Sequence, residues 1–254
     1  MRHLRRLGPV SALLAAAAGL ALAAMLFGAL LASGNAAAAV SRPVAAGARA
    51  PGEVASPSLR VQPLPRASLL RLGSRGRAVR VLQGALARLT YLPLGAADGV
   101  FGMRTWHAVV AFQGWSGLAR DGIAGPRTER ALARARRPQP WSTAAGFEVH
   151  IPQQVLLLVA HGRVQRAIHV STGMPGRPTP RGRFRIQARC QLSWSVPFQV
   201  WMPFAQYFHG GYAMHEYPSV PAYPASHGCI RVPSAEAGVV WRFGRIGMRL
   251  WTTR

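Results

Sequence analysis

The stretch that decides the fold is residues 210–232, which read GGYAMHEYPSVPAYPASHGCIRV. Glycine, proline, tryptophan and β-branched residues dominate this stretch and most of the chain from residue 147 to its end, which predicts a mainly β domain over residues 147–254. Three prolines separate His215 from Ser226. We therefore expect a stiff loop that brings these two residues to one face.

Reactive side chains cluster in the same stretch. His215 precedes the run Ser226-His227-Gly228-Cys229, and Arg231 follows two residues later. A cysteine becomes a nucleophile when a histidine or positive surroundings favour its thiolate, and His215 is available to take the thiol proton. Gly228 allows backbone conformations that other residues resist, and adjacent N–H groups can stabilise an oxyanion. The pattern predicts a cysteine nucleophile with a histidine base.

Two other interpretations of these residues stay open on spacing alone. Cys190 and Cys229 are the two cysteines of the chain, and an exported protein can join them in a disulfide. His215, His227 and Cys229 can instead serve as three zinc ligands.

The region before residue 210 predicts strands and one linker. Residues 155–159 form a short apolar run, His161-Gly162 marks a turn, and residues 164–170 give the return strand. After the stretch 210–232, a short helix is expected at residues 234–243. Prolines and arginines at residues 136–146 break the preceding pattern and predict a linker between two domains.

Residues 67–135 carry helical periodicity instead. Apolar residues recur at three- and four-residue steps in two segments, and a short third segment follows; they are Val79, Leu82, Leu86 and Leu89, then Trp106, Val109, Val110 and Phe112, then Leu132. This spacing predicts three helices, each with one buried face.

An internal repeat lies within the helical region. The sequence DGVFGMRT at residues 98–105 recurs as DGIAGPRT at residues 121–128. Each copy predicts an Asp-Gly turn, a glycine and then a helix start, with Pro126 in the first helical turn. We expect Asp98 and Asp121 to cap helices and Phe112 to lie in the core.

The composition excludes several chemistries. The chain has 31 basic residues, all arginine, against 7 acidic ones. Without lysine it has no Walker phosphate loop, no lysine Schiff base and no Ser-x-x-Lys acyltransferase site. The net charge of +24 favours anionic polymers as partners. The arginines are dispersed, and the N-terminal residues predict export, as described next. We therefore expect the anionic partners to be cell-wall polymers, and we expect no nucleic acid partner.

That export segment covers residues 1–39. Three arginines precede an apolar run from Gly8 to Ala32, and small residues follow at 36–39. This layout predicts a signal peptide or a membrane anchor. Residues 40–66, rich in proline, alanine and serine, predict a flexible linker. We expect an exported protein at the cell wall, periplasmic or extracellular, that meets the membrane only through its N-terminal segment.

The helical region resembles the small three-helix peptidoglycan-binding domain found on many wall enzymes. The matching residues are LGSRG at 72–76, Val79, Leu82-Gln83, Leu86, DGVFG at 98–102, Thr105, AFQ at 111–113, Gly117-Leu118 and DGI at 121–123. The resemblance implies that this domain binds glycan-peptide wall material.

Residues 153–252 resemble the L,D-transpeptidase catalytic domain of the YkuD type. The matching stretches are STG at 171–173, TPRGRF at 179–184, GGYAMH at 210–215 and SHGCIRV at 226–232. The resemblance implies a β-sandwich-like fold with a cysteine nucleophile, and neither metal nor cofactor.

The resemblance also assigns roles to the site residues. Cys229 attacks the carbonyl of the third residue of a peptidoglycan tetrapeptide stem, and the terminal D-alanine leaves. His215 acts as base and then as acid, with the carbonyl of Glu216 orienting its ring. The segment 226–229 supplies the oxyanion pocket through His227, Gly228 and the Cys229 amide, with Ser226 in support, and Arg231 helps to hold the site.

One residue departs from the family pattern. Many relatives have a small residue after the base histidine, where this chain has Glu216. We expect this carboxylate to raise the His215 pKa and to shift the pH profile. The other histidines, at 107, 150, 161, 169 and 209, have no motif around them and are expected to be structural or superficial.

These observations predict a two-domain wall enzyme, with an all-α peptidoglycan-binding domain before a mainly β catalytic domain. The predicted activity is that of a cysteine-dependent acyltransferase that cross-links peptidoglycan stems. The alternatives are an L,D-carboxypeptidase that uses water as acceptor, and a catalytically degenerate wall-binding protein.

Overall fold

The computed structural model describes residues 69–252. The predicted signal or anchor segment (1–39) and the predicted linker (40–66) lie outside these residues. Among the described residues, no helix combines the length and apolar character needed to cross a bilayer.

Three helices form the first layer, as the periodicity predicts. They are α1 (Arg77–Arg88), α2 (Met103–Trp115) and α3 (Pro126–Arg134). Their apolar faces meet in a core that contains Leu82, Leu86, Phe112 and Leu132, each at most 2% exposed. Pro126 occupies the first turn of α3, where its missing N–H has no intrahelical acceptor to lose.

The repeated Asp-Gly turns have a different purpose from the capping that we expected. The residues before α2 and α3 are Gly102 and Gly125, and neither helix start receives a side-chain cap. Asp98 instead accepts the N–H of Val100, two residues on, and so closes its own turn. Each aspartate stands four residues before its helix-preceding glycine, too far away to reach the unpaired N–H groups of the first helical turn. The capping prediction was therefore wrong.

A buried glutamine holds each of these turns. The Gln83 side-chain amide donates to Asp98 Oδ1 at 2.7 Å and to Val100 O at 3.0 Å, and its oxygen accepts the Gly99 N–H at 2.8 Å. Gln83 itself is 1% exposed. One side chain thus satisfies the polar groups of a whole turn inside the core.

The second copy of the repeat reproduces this arrangement. Gln113 donates to Asp121 Oδ1 at 2.7 Å and to Ile123 O at 3.0 Å, and it accepts the Gly122 N–H at 2.9 Å. The internal repeat in the sequence is therefore a repeat of one hydrogen-bonded unit.

Two sheets follow the helices. The first has the order β3-β2-β1-β9-β4 and comprises β1 (Gly146–His150), β2 (Val155–Ala160), β3 (Arg163–His169), β4 (Gly182–Arg185) and β9 (Arg249–Thr252). The second has the order β5-β6-β7-β8 and comprises β5 (Ala188–Ser195), β6 (Val200–His209), β7 (Tyr212–Glu216) and β8 (Ile230–Val232). The fold is thus a helical domain before a mainly β two-sheet domain, as the sequence predicts.

Strand β2 is apolar on both faces because each face is covered by a different core. Leu156 and Leu158 pack in the core between the sheets, whereas Val155, Leu157 and Val159 pack with the helices. This double burial explains the unbroken apolar run at 155–159. The helix α4 (Ser234–Phe243) matches its predicted bounds and packs against β6 and β7.

The histidines without a motif occupy structural or superficial positions, as expected. His107 and His169 are buried where α2 meets β3, and His150 is buried beside Trp115 and Trp141. His161 and His209 are exposed.

Candidate active site

The candidate site is carried by two neighbouring parallel strands, β7 and β8. Strands β7 and β8 pair in parallel with His215 opposite Arg231, and Cys229 immediately precedes β8. The STG stretch at residues 171–173 is bonded to β8, because the backbones of Ser171 and Arg231 each donate a hydrogen bond to the other. The Ser226 N–H also donates to Thr172 O at 3.0 Å. Two motifs that are distant in the sequence are therefore one hydrogen-bonded unit.

The ring of His215 is fixed by its own strand. His215 is 5% exposed, and its Nδ1 lies 2.7 Å from the carbonyl oxygen of Glu216. A carbonyl oxygen only accepts, so the proton resides on Nδ1 and Nε2 is left as an acceptor. Tyr217 contacts the same ring edge-on at a centroid distance of 6.0 Å.

Burial keeps this imidazole neutral. Burial lowers the His215 pKa from its usual value, and the Arg231 charge lowers it further, while the Glu216 carbonyl and carboxylate act in the opposite direction. The Glu216 carboxylate thus has the expected sign, but burial outweighs it. The net pKa of His215 is thus lowered even though its carboxylate neighbour acts as expected.

The thiol of Cys229 is also neutral at rest. Cys229 is half-buried and free, and burial raises its pKa, whereas a hydrogen bond from the Ala213 backbone and the Arg231 charge lower it. A raised thiol pKa and a lowered histidine pKa disfavour a resting thiolate–imidazolium pair. The site therefore holds a protonated thiol together with a base that is free to accept its proton.

Ser226 and Gly228 shape the turn that presents the thiol. Ser226 donates through its hydroxyl to Cys229 O and accepts the Gly228 N–H at 3.1 Å. Gly228 has a φ of +114°, and a Cβ there would lie 2.3 Å from the Tyr212 ring. Because its N–H is already used, Gly228 offers no free donor to an oxyanion. Of the three groups expected to form an oxyanion pocket, the Cys229 amide and His227 therefore remain the candidates.

The side chains of His227 and Arg231 each pack against an aromatic ring. The exposed His227 stacks on Phe198 with the ring centroids 4.4 Å apart and the planes 18° apart. The Arg231 guanidinium lies 4.1 Å from the centre of the Tyr217 ring. Within residues 69–252, Arg231 has no carboxylate partner.

One cavity of about 200 Å³ contains these groups. Its remaining walls come largely from the β5–β6 hairpin; the lining residues are Ser195, Phe198, Val200, Met202, His215, Tyr217, Ser226, His227, Cys229 and Arg231. The structure thus brings together every predicted site residue except Gly228, which lies behind the wall, and Glu216, which contributes its carbonyl. Sequence reasoning missed the hairpin residues, because no local motif marks them.

The disulfide and zinc interpretations do not describe this arrangement. Both cysteines are free thiols, with Cys190 exposed on the edge strand β5. Over the described part of the chain, His215, His227 and Cys229 do not converge as a metal-binding group.

Known families match both parts of the chain. Residues 145–250 match the L,D-transpeptidase catalytic domain (YkuD), and residues 75–132 match the putative peptidoglycan-binding domain. Fold and matches together define a class of two-domain protein, in which a helical domain of the peptidoglycan-binding type precedes a two-sheet catalytic domain.

A solved structure extends over both domains. The crystal structure of an L,D-transpeptidase (residues 123–326) from Xylanimonas cellulosilytica is 39% identical, with a TM-score of 0.69 over 74% of this chain and 98% of that one. The chain described here therefore belongs to the L,D-transpeptidase family.

Curated relatives share a smaller part. A probable N-acetylmuramoyl-L-alanine amidase of Bacillus licheniformis is 44% identical over 68 residues, 26% of this chain and 19% of its own length. The amidase CwlL of the same species is 36% identical over 91 residues, 35% of this chain and 25% of its own length. This chain thus spans a quarter or less of these relatives.

Proposed function

We propose that this protein cross-links peptidoglycan stem peptides through a thioacyl intermediate on Cys229. The observation that carries the proposal is the pairing of a neutral Cys229 thiol with a buried His215 whose Nδ1 proton is fixed on a carbonyl, in one cavity. That tautomer leaves His215 Nε2 as the acceptor that general-base catalysis needs.

The first half-reaction transfers the donor stem to the enzyme. The Cys229 thiol gives its proton to His215 Nε2 as its sulfur attacks the carbonyl carbon of the third stem residue. The Cys229 amide donates to the developing oxyanion. The intermediate then collapses, the peptide bond to the terminal D-alanine breaks, and imidazolium His215 protonates the leaving amine. A thioester and free D-alanine result.

The second half-reaction transfers the stem to an amine. A side-chain amine of a neighbouring stem attacks the thioester carbonyl while His215 takes one of its protons. The carbon–sulfur bond breaks, an amide forms between two third residues, and Cys229 regains its proton from His215. Water in place of the amine gives carboxypeptidase activity by the same steps.

The remaining groups of the cavity position the donor. Arg231 lies near both reacting residues, where its charge attracts a carboxylate of the stem. Phe198, Val200 and Met202 offer an apolar wall to the stem. Peptidoglycan is thus the proposed partner of both domains. We place the peptidoglycan-binding domain at residues 67–135, a linker at 136–146 and the catalytic domain at 147–254. Action on the wall requires export, which we assign to residues 1–39.

The test is product analysis by mass spectrometry. The full chain is incubated with a disaccharide-tetrapeptide, in parallel with Cys229→Ala and with Cys190→Ala as the matched thiol control. We expect a dimer lighter than two monomers by one free D-alanine from the native chain and from Cys190→Ala, and none from Cys229→Ala. A monomer that has lost D-alanine identifies a carboxypeptidase instead, and unchanged substrate contradicts both activities.

A further inference from the structure

A second, larger cavity lies away from the thiol. It has a volume of about 640 Å³ and runs between the end of α1 with residues 90–94 and the β2–β3 hairpin. A neighbouring cavity of about 270 Å³ shares Arg137, Arg163 and Val164 with it. The two cavities therefore lie side by side, separated only by these shared residues, and together we call them the cleft.

The charged side chains without an ion-pair partner on the walls of this cleft are two arginines, Arg137 and Arg163, beside the neutral amides of Gln139 and Gln165. Arg137 comes from the segment between the domains and Arg163 from the start of β3, and both are exposed. Neither forms an ion pair within residues 69–252, and no carboxylate lines the cleft. His161, at the tip of the β2–β3 hairpin, adds a further polar ring. Arg166 does not add to the charge, because Glu236 neutralises it at 2.9 Å.

Two wall residues, Arg137 and Thr90, are fixed by hydrogen bonds that involve backbone groups. The Arg137 Nε donates to Arg88 O at 2.7 Å, which fixes the guanidinium and leaves its terminal nitrogens without a partner among the described residues. Thr90, another wall residue, has a φ of +73°, which is unusual for a β-branched side chain. Its carbonyl accepts the Ala167 N–H at 3.0 Å, and its buried hydroxyl has no partner in the described chain. Strain and an unsatisfied hydroxyl at one position are typical of a binding site.

We infer that this cleft binds a linear polymer whose repeating groups carry phosphate. Guanidinium groups from two different elements face the cleft, and a tetrahedral phosphate presents oxygens to both, whereas one bidentate arginine already satisfies a planar carboxylate. The larger cavity alone, at about 640 Å³, has more room than a single phosphate ion fills. The site is independent of the thiol cavity, so its occupation does not require the proposed transpeptidation.

The experiment measures binding of short-chain inorganic polyphosphate to the full chain by calorimetry. The ionic strength is about 0.15 M, which screens charges more than about 8 Å apart. The test variant is Arg137→Gln with Arg163→Gln. The matched control, Arg71→Gln with Arg75→Gln, removes the same charge from exposed side chains outside the cleft. Arg163→Gln alone is also measured, because among residues 69–252 its side chain forms neither a hydrogen bond nor an ion pair whose loss could disturb the fold.

We expect the double variant to bind polyphosphate at least about tenfold more weakly, since each lost charged hydrogen bond costs a factor of that order. Arg163→Gln alone should show part of this loss, and the control pair less than a twofold change. Equal losses in test and control variants would overturn the site. Polyglutamate bound as tightly as polyphosphate, with the same dependence on Arg137 and Arg163, would overturn the assignment of phosphate.

Discussion

The Nδ1 of His215 lies 2.7 Å from the carbonyl oxygen of Glu216, the residue that follows it on β7. A carbonyl is present whatever side chain stands at position 216, so the ring orientation does not depend on the glutamate. The two parts of Glu216 therefore have separable effects: the backbone fixes the tautomer, and the carboxylate adjusts the pKa.

The pH profile follows from this separation. His215 must be neutral to accept the thiol proton, and its pKa is lowered, so the rate should fall only as the pH drops through a value below 6.5. Glu216→Gln removes a charge that raises this pKa and should move the acid limb to lower pH. Arg231→Gln should move it to higher pH. Single-turnover rates against pH measure both shifts; a limb that moves the same way in both variants contradicts the account.

Alkylation separates the two thiols. Cys229 is half-buried and burial raises its pKa, whereas Cys190 is exposed. At neutral pH, iodoacetamide should modify Cys190 several times faster than Cys229, and the Cys229 rate should climb steadily into the alkaline range, because the thiolate is the reactive form. Peptide mapping after timed quenching gives both rates. Faster modification of Cys229 at pH 7 would indicate a resting thiolate.

A buried histidine pair should make stability depend on pH. His107 and His169 lie with their Nδ1 atoms 2.9 Å apart, and burial lowers the His107 pKa to about 4 and that of His169 well below its usual value. The unfolded chain then binds more protons below pH 6.5, so stability is full above that pH and is lost as the pH falls toward 4. His107 alone accounts for about 3 kcal/mol over this window.

Urea unfolding at several pH values tests this loss. Replacing both residues, by His107→Leu with His169→Leu, should reduce the dependence between pH 6.5 and 4, and the part that remains belongs to other buried histidines such as His150 and His215, whose pKa values are also lowered by burial. The exposed control His209→Leu should leave it unchanged. A double variant with the native pH dependence would assign the loss to other groups.

The glutamines inside the helical domain should be costly to replace. Gln83→Leu leaves the Gly99 N–H and the buried end of its turn without partners, and about 2 kcal/mol of unfolding free energy should be lost. Gln113→Leu should cost a similar amount, because its contacts repeat those of Gln83. The exposed Gln187→Leu is the control. Chemical denaturation measures all three, and a cost for Gln83→Leu no larger than the control's would contradict the role given to these side chains.

The sequence predicts those parts of the fold that have a local cause. The helices and the strand run at 155–159 appear because apolar spacing follows from which faces are buried. The same run does not show that two different cores cover its two faces, since apolar character indicates burial but not which residues pack against it. Gln83 and Gln113 lie on buried faces and look like ordinary polar residues until their turns fold over them.

The candidate site divides in the same way. His215 and Cys229 stand in a recognisable motif, but Phe198 and Met202 reach the cavity only because β5 and β6 pair beside β7. The direction in which the Glu216 carboxylate moves the His215 pKa was predicted, but the larger effect of burial was not, because the burial of His215 depends on residues that are distant in the sequence. The use of the Gly228 N–H by Ser226 likewise depends on the conformation of the turn.

The central claim is that the donor stem becomes bound to Cys229. The most direct measurement is intact mass after rapid acid quenching of the full chain with a tetrapeptide donor and no acceptor amine, followed by peptide mapping. The account predicts an adduct equal to the donor less D-alanine, located on the peptide that contains Cys229 and unaffected by Cys190→Ala. D-alanine release without any adduct on Cys229, or with the adduct on another residue, would contradict it.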